Sequence, residues 1–203
     1  MTLQEKFNKL RLTNSSINEH LEVLRTYAQS SDTICELGVD IGQSTTAFLM
    51  GQPGQLFSFD LVEKPDLAEL INMAMFTKRC PDHVEAKIGE TYWVLTTPFD
   101  TSNLAVPACD LLFIDTWHAY PQLKAELALN HDRVRKWIVL HDIESFGTHG
   151  EGWQDWQAQG KGELLGLKPA VVDFLINHPE WLTKDYYLNN NGLLILGRQL
   201  WKC

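Results

Sequence analysis

Residues 34–46, Ile34-Cys35-Glu36-Leu37-Gly38-Val39-Asp40-Ile41-Gly42-Gln43-Ser44-Thr45-Thr46, decide the fold. An apolar strand ends near Glu36, the chain turns through Gly38 and Gly42, and an apolar helix follows with Ala47-Phe48-Leu49-Met50. Without a Cβ, the two glycines let the backbone turn tightly and approach a ligand, and the first amides of the helix point into the same space as donors. Glu36 stands at the C-terminal end of the strand, where open α/β sheets bind ligands. No Gly-Lys-Ser/Thr follows, so this is not a phosphate loop, and the glycines do not fit the G-x-G-x-x-G dinucleotide pattern.

Working outward, residues 2–29 read as helical, with Leu3, Phe7 and Leu10 and then Ile17, Leu21 and Leu24 at helical spacing, and with Thr13–Ser16 able to break and recap the segment. Strands are expected at 33–37, 55–60, 83–88, 110–115 and 136–141, and helices at 66–78 and 120–133. Continuous apolar strands alternating with helices mean a parallel sheet covered on both faces. The rhythm then changes. A helix over 167–177 precedes strands at 181–188 and 192–197, joined by Asn189-Asn190-Asn191-Gly192, a hairpin signal. The expected fold is α/β: a Rossmann-like, doubly wound, mostly parallel seven-stranded sheet with a C-terminal antiparallel hairpin. Residues 1–30 form an N-terminal helical cap on a domain of residues 31–203, one globular unit in all. The long loop is 147–166, glycine-rich around Trp153 and Trp156, and loops of that length are usually functional or disordered.

Composition narrows the function classes. With 203 residues, 44% of them hydrophobic, the chain can bury one good core. A net charge of −9 disfavours binding nucleic acid by phosphate neutralisation. No apolar stretch approaches the roughly 20 residues that cross a bilayer, and the N-terminus lacks a secretory core, so the cytoplasm is the expected location. Cys35, Cys80, Cys109 and Cys203 are scattered without a C-x-x-C pair and read as reduced thiols, two of them in or beside apolar strands.

Asp60 ends the second strand, about 20 residues beyond the glycine turn, where a ribose partner sits in nucleotide-binding α/β folds. Asp115, His118, His141 and Asp142 fall at or just past the ends of the fourth and fifth strands, and the fold should bring them to one rim. Two chemistries compete there. Asp115 and Asp142 offer hard oxygens for Mg or Mn, with His141 or His149 completing the shell, and the metal would lower the pKa of an acceptor hydroxyl. Alternatively His118 or His141 is the general base, its tautomer fixed by an aspartate. Trp153 and Trp156 suit a lid that stacks on a sugar or aromatic acceptor. His20, His131 and His178, and the carboxylates of Glu126 and Asp132, read as solvated helix faces or ends.

In this order of elements the chain resembles class I S-adenosylmethionine-dependent methyltransferases over residues 30–198, in the small-molecule O-methyltransferase branch that includes sugar and antibiotic O-methyltransferases and cephalosporin-hydroxylase-like proteins. Glu36-x-Gly38-x-x-x-Gly42-x-Ser44 resembles the first motif of that superfamily. The resemblance implies that Asp60 binds the ribose hydroxyls, that Ile88-Gly89-Glu90 lies against the adenine, and that Asp115 contacts the cofactor's amino group. Phe113-Ile114-Asp115-Thr116-Trp117-His118-Ala119-Tyr120 is similar to the branch's fourth motif, where a small or acidic pair more often replaces Thr116 and Trp117. Leu140-His141-Asp142 and the terminal Asn-Gly-Leu-Leu-Ile-Leu-Gly-Arg resemble the endings of its fifth and last strands.

What this implies is S-adenosylmethionine-dependent methyl transfer to a hydroxyl of a small polar acceptor such as a carbohydrate, assisted by Mg or Mn or by a histidine base, in a protein able to form homo-oligomers. No Asn-Pro-Pro-Tyr or Asp-Pro-Pro-Tyr run follows the fourth strand, which lowers amine methylation of the nucleic-acid type. The alternatives are a metal-dependent hydrolase using the same rim, a nicotinamide-dependent oxidoreductase, and a non-catalytic cofactor-binding module. The missing third glycine and the antiparallel ending count against the oxidoreductase.

Overall fold

A computed structural model describes residues 1–199; Cys203 lies outside the described residues. The chain forms helices α1 (Leu3–Leu12) and α2 (Leu21–Gln29), then β1 (Thr33–Leu37), α3 (Gln43–Gly51), β2 (Gln55–Phe59) and α4 (Ala68–Asn72). Three strands follow, β3 (Phe76–Arg79), β4 (His83–Ile88) and β5 (Thr91–Thr96), and then β6 (Cys109–Ile114), α5 (Tyr120–Asn130) and β7 (Val134–His141). The chain closes with α6 (Trp153–Ala158), α7 (Leu167–Asn177), β8 (Trp181–Tyr187) and β9 (Leu193–Arg198). No helix among the described residues is long and apolar enough to cross a membrane.

The strands make one sheet in the order β3-β4-β5-β2-β1-β6-β7-β9-β8. From β5 to β7 the pairings are parallel, and β9 and β8 return antiparallel. Every residue of β1 and β6 is buried, as expected of central strands covered on both faces. Alternate residues divide between the two faces: Ile34 and Phe113 join Phe7, Leu24 and Phe48 of α1, α2 and α3, while Cys35 and Leu112 join Leu123, Leu127 and Phe174 of α5 and α7.

Among the described residues the sheet has nine strands, not seven, because the chain between β2 and β6 departs from expectation. The expected 66–78 helix stops at Asn72, and Phe76–Arg79 becomes an edge strand paired antiparallel with β4. Past Ala74 the core ends: Met75 and Phe76 are both exposed. The pairing also displaces the expected third parallel strand. His83–Ile88 runs antiparallel, and Thr91–Thr96, rich in β-branched and aromatic residues, lies beside β2 from Gln55↔Tyr92 to Phe59↔Thr96. Among the other expectations, α6 sits inside the 147–166 loop.

Chain order reverses at β1, which has β2 on one side and β6 on the other, so a crevice opens beyond the C-terminal ends of β1 and β6. Gly38 closes that crevice at its base. Its φ is +84°, and a Cβ there would stand 1.8 Å from the Asp115 carbonyl oxygen. Gly38→Ala should therefore destabilise the protein by more than about 2 kcal/mol, because left-handed strain adds to a clash with backbone. Gly89→Ala, also left-handed but with open space around it, should cost only about 1 kcal/mol. Urea unfolding of the two variants checks the difference, and equal costs would contradict the packing argument.

Candidate active site

The first turn is organised from beneath. Glu36 is fully buried, and its carboxylate accepts from the hydroxyls of Ser44 (2.6 Å), Thr45 (2.8 Å) and Ser58 (2.6 Å). Trp93 Nε1 donates to Ser58 Oγ at 3.0 Å, which extends the knot to β5. Burial outweighs the three donors and raises the Glu36 pKa to about 7. Glu36 thus ties β1, β2 and α3 together beneath the turn instead of facing the crevice. Gly42, at φ +80°, starts α3 where a Cβ would press on Leu67 and Leu70, so its role is also packing.

Asp60, just past β2, faces the crevice. Its Oδ2 accepts the amides of Val39 (2.8 Å) and Asp40 (3.1 Å), and its Oδ1 accepts that of Val62 (3.2 Å). Three bonds leave room for about one more donor on a carboxylate. The carboxylate lines a cavity of about 560 Å³ that runs from Gly38 past Leu61 and Phe99 to Thr116 and Trp117. A smaller, more polar cavity of about 190 Å³ holds Ser44, His118 and Asp142, with Ser16 and Ile17 from the segment between α1 and α2. The two cavities share Gly38, Asp40 and Asp115, so they meet where β1 and β6 end.

All four rim candidates converge. His118 Nε2 is 3.1 Å from Asp115 Oδ1 and 3.0 Å from Asp142 Oδ2, and its Nδ1 is 3.1 Å from Glu151. His141 Nδ1 is 3.2 Å from Asp115 Oδ2 and 3.5 Å from Asp142 Oδ2, while its Nε2 is 3.1 Å from the Ser16 carbonyl. Phe146 stacks on the His118 ring at 4.6 Å. His118 has acceptors at both nitrogens, and His141 has the Ser16 carbonyl at Nε2 with both aspartates at ion-pair distance, though without hydrogen-bond geometry, from Nδ1; both settings favour the doubly protonated form. Burial opposes the charge, but the aspartates prevail: both histidine pKa values rise to about 10 and both aspartates fall below their ordinary range. In this state neither histidine is a base.

Metal-ligand geometry picks out Asp115, His118 and Asp142, whose donor atoms all lie within 4.8 Å of one another. His118 thus stands where the sequence reading put His141, which is buried behind the aspartates and held by Ser16. Asp142 Oδ1 is buried without a hydrogen-bond partner among the described residues, as is His141 Nδ1, while Asp142 itself lines the smaller cavity. Asp142 itself is at φ +59°, a strained left-handed position of the kind found at functional sites.

Other candidates land elsewhere. Glu90 sits in the β4–β5 turn, at the opposite end of β5 from Asp60, with its side chain exposed beside Lys87; antiparallel pairing carries it away from the crevice. The segment after β5, with Phe99, Thr101 and Ser102, lines the cavity in its place. His149 stacks on Trp153 at 4.6 Å, off the rim, whereas Trp156 is 6.4 Å from Trp117 at the cavity wall. His20, expected in solvent, is buried with Nε2 on the carbonyls of Asn189 and Asn190, because the terminal hairpin turn folds onto it.

Glu126, expected on a wet face, is also fully buried. It accepts from Thr116 Oγ1 (2.8 and 2.9 Å), Gln122 Nε2 (2.7 Å) and Thr101 Oγ1. It stands behind the larger cavity and orients three groups that line it. The available signal was its place beside Leu123 and Leu127 on the inward face of α5.

The rim charges set a pH dependence. Each histidine is raised from its ordinary 6.5 to about 10, so its stabilisation is complete below pH 6.5 and disappears as pH climbs toward 10. The aspartates are lowered from 3.8, so theirs is complete above pH 3.8 and lost on further acidification. The cluster stabilises the fold most between those limits. Asp142→Asn should flatten the loss of Tm between pH 6.5 and 10, read by thermal unfolding at stepped pH; an unchanged alkaline limb would contradict the ionic assignment.

No family model matches the sequence, and no curated protein matches it. Solved structures do. An O-methyltransferase from Bacillus cereus in complex with SAH shares 13% identity and a TM-score of 0.59 over 97% of this chain and 90% of its own. The SAH-bound methyltransferase of Podospora anserina gives 13% and 0.55 over 97% and 87%. The 1,6-didemethyltoxoflavin N1-methyltransferase of Burkholderia thailandensis, with its substrate and S-adenosylhomocysteine (SAH) bound, gives 15% and 0.50 over 87% and 79%. Topology and likeness agree: this chain has the fold of class I S-adenosylmethionine-dependent methyltransferases.

Proposed function

We propose that the protein transfers a methyl group from S-adenosylmethionine to a hydroxyl of a small polar acceptor. The observation that carries this reading is the meeting of two cavities at Gly38 and Asp115, one sized for a nucleoside and one lined by the acid–histidine rim. The residues fit the cofactor. Asp60 presents a spare acceptor for ribose hydroxyls, and Leu61 and Trp117, large apolar side chains left exposed at the cavity wall, suit a flat ring. When bound, S-adenosylmethionine supplies a methyl group on a cationic sulfur that leaves as a neutral thioether.

The chain itself must position the acceptor, receive its proton and exclude water. Asp142 Oδ1 is the free acceptor for that hydroxyl, and Asp115 and Asp142 are held in place by the two histidines behind and beside them. A divalent ion of the Mg or Mn type fits Asp115, His118 and Asp142 by its donor set and would acidify a hydroxyl there. Binding it requires His118 to give up the Nε2 proton, which makes the ion the replacement for that positive charge. Trp117 at the cavity wall, with the Trp156 ring 6.4 Å from it, favours a sugar or aromatic ring as the acceptor's body. Among the described residues Cys35, Cys80 and Cys109 are free thiols, the first and last of them buried, which accords with a reducing cytoplasm.

Calorimetric titration with S-adenosylmethionine and S-adenosylhomocysteine tests the proposal. Micromolar binding is expected, weakened about 10- to 100-fold in Asp60→Ala, as for loss of a charge-assisted hydrogen bond. Mn should bind the wild type and not Asp142→Asn, which keeps its affinity for the homocysteine product. Absence of cofactor binding would overturn the proposal, and hydrolytic turnover without the cofactor would favour the hydrolase.

A further inference from the structure

A second group of metal-ligating side chains lies at the other end of the sheet. His131 occupies the single 3-10 turn (His131–Arg133) that leads from α5 into β7, and His178 ends α7 two residues before Glu180 and β8. The two imidazole centroids are 4.0 Å apart, and both rings touch Phe174. Glu180 Oε1 is 3.6 Å from His178 Nδ1. One donor atom from each of the three lies within 4.8 Å of the other two. The rim is at the far end of β7, more than roughly 20 Å away at strand rise.

His131 Nδ1 is the informative atom. It is buried and has no hydrogen-bond partner among the described residues; Asp132 Oδ1, 3.4 Å away, lacks the required geometry. A buried imidazole nitrogen without a partner has lost its water and gained nothing in return. A third group, Cys80, His83 and Glu85 on the β3–β4 hairpin, is already occupied by Lys78, Tyr92 and Asp82.

We propose that His131, His178 and Glu180 form a binding site for a divalent metal of the zinc class. Two imidazoles and one carboxylate, with an open position for water, match zinc's preference, whereas Mg and Ca favour all-oxygen shells. The Gln199 amide holds the Glu180 carbonyl at 2.7 Å, which fixes the chain that carries the Glu180 ligand. Arg198, the nearby cation, is directed to the Val134 carbonyl and toward Asp132. The metal would join the α5–β7 corner to the α7–β8 corner and stabilise the antiparallel end of the sheet. This site is independent of the proposed methyl transfer.

The test uses the full chain, stripped with chelator and titrated with Zn²⁺ by calorimetry and with Co²⁺ by visible absorption. Wild type, His131→Gln, His178→Gln and Asp142→Asn are compared, with circular dichroism confirming that each is folded. One zinc equivalent should persist in Asp142→Asn and weaken by more than about 100-fold in either histidine variant, since even outer-shell losses cost 10- to 100-fold. In the Asp142→Asn background, where the rim site is disabled, zinc should raise Tm, and adding His131→Gln or His178→Gln should abolish the rise. The proposal is overturned if the histidine variants bind zinc like the wild type, or if Asp142→Asn abolishes all zinc binding.

Discussion

Two backbone segments, the end of β1 and the end of β6, approach so closely at the topological switch point that residue 38 can have no side chain. The Asp115 carbonyl occupies the space a Cβ would need, and the Gly38 and Asp115 amides bond to Phe59 and Leu37 across the same junction. From this contact the site follows. It places Asp115 at the meeting point of the two cavities, and it lets the turn amides of Val39 and Asp40 reach the Asp60 carboxylate. A bulkier residue would part β1 from β6 and separate the nucleoside-sized cavity from the rim.

Around that junction the protein buries or half-buries four carboxylates and manages them by two devices. Glu36 is satisfied by hydroxyls and held near neutrality, a polar knot that resists displacement of α3 from the sheet. Glu126 is likewise filled by hydroxyls and an amide, and orients the wall of the larger cavity from behind. Asp115 and Asp142 are instead paired with imidazolium groups. Buried ion pairs gain little stability against an apolar alternative. Their retention at a cavity wall, with one oxygen of Asp142 unfilled, points to chemistry more than to stability.

The β3–β4 hairpin shows how local pattern and tertiary context diverge. Residues 66–78 carry helical apolar spacing, yet only the first turns have a core beneath them, and the end of the segment pairs with Val84–Lys87. That single change moves the parallel position to Thr91–Thr96 and carries Glu90 to the wrong end of the sheet. The cavity-lining role passes to the segment after Thr96.

By itself the sequence determined the alternating plan of strands and helices, the glycine turn, the terminal hairpin, and the convergence of Asp115, His118, His141 and Asp142. These follow from periodicity and from the rule that ligands gather at strand C-termini, both local or topological properties. Only the tertiary structure decided which of those groups are free. Whether Glu126 is wet or buried, whether His118 or His141 joins the metal set, and whether His131 and His178 touch depend on packing between segments distant in the chain. Desolvation and pairing then set each group's charge, and neither can be read from the spacing of residues along the chain.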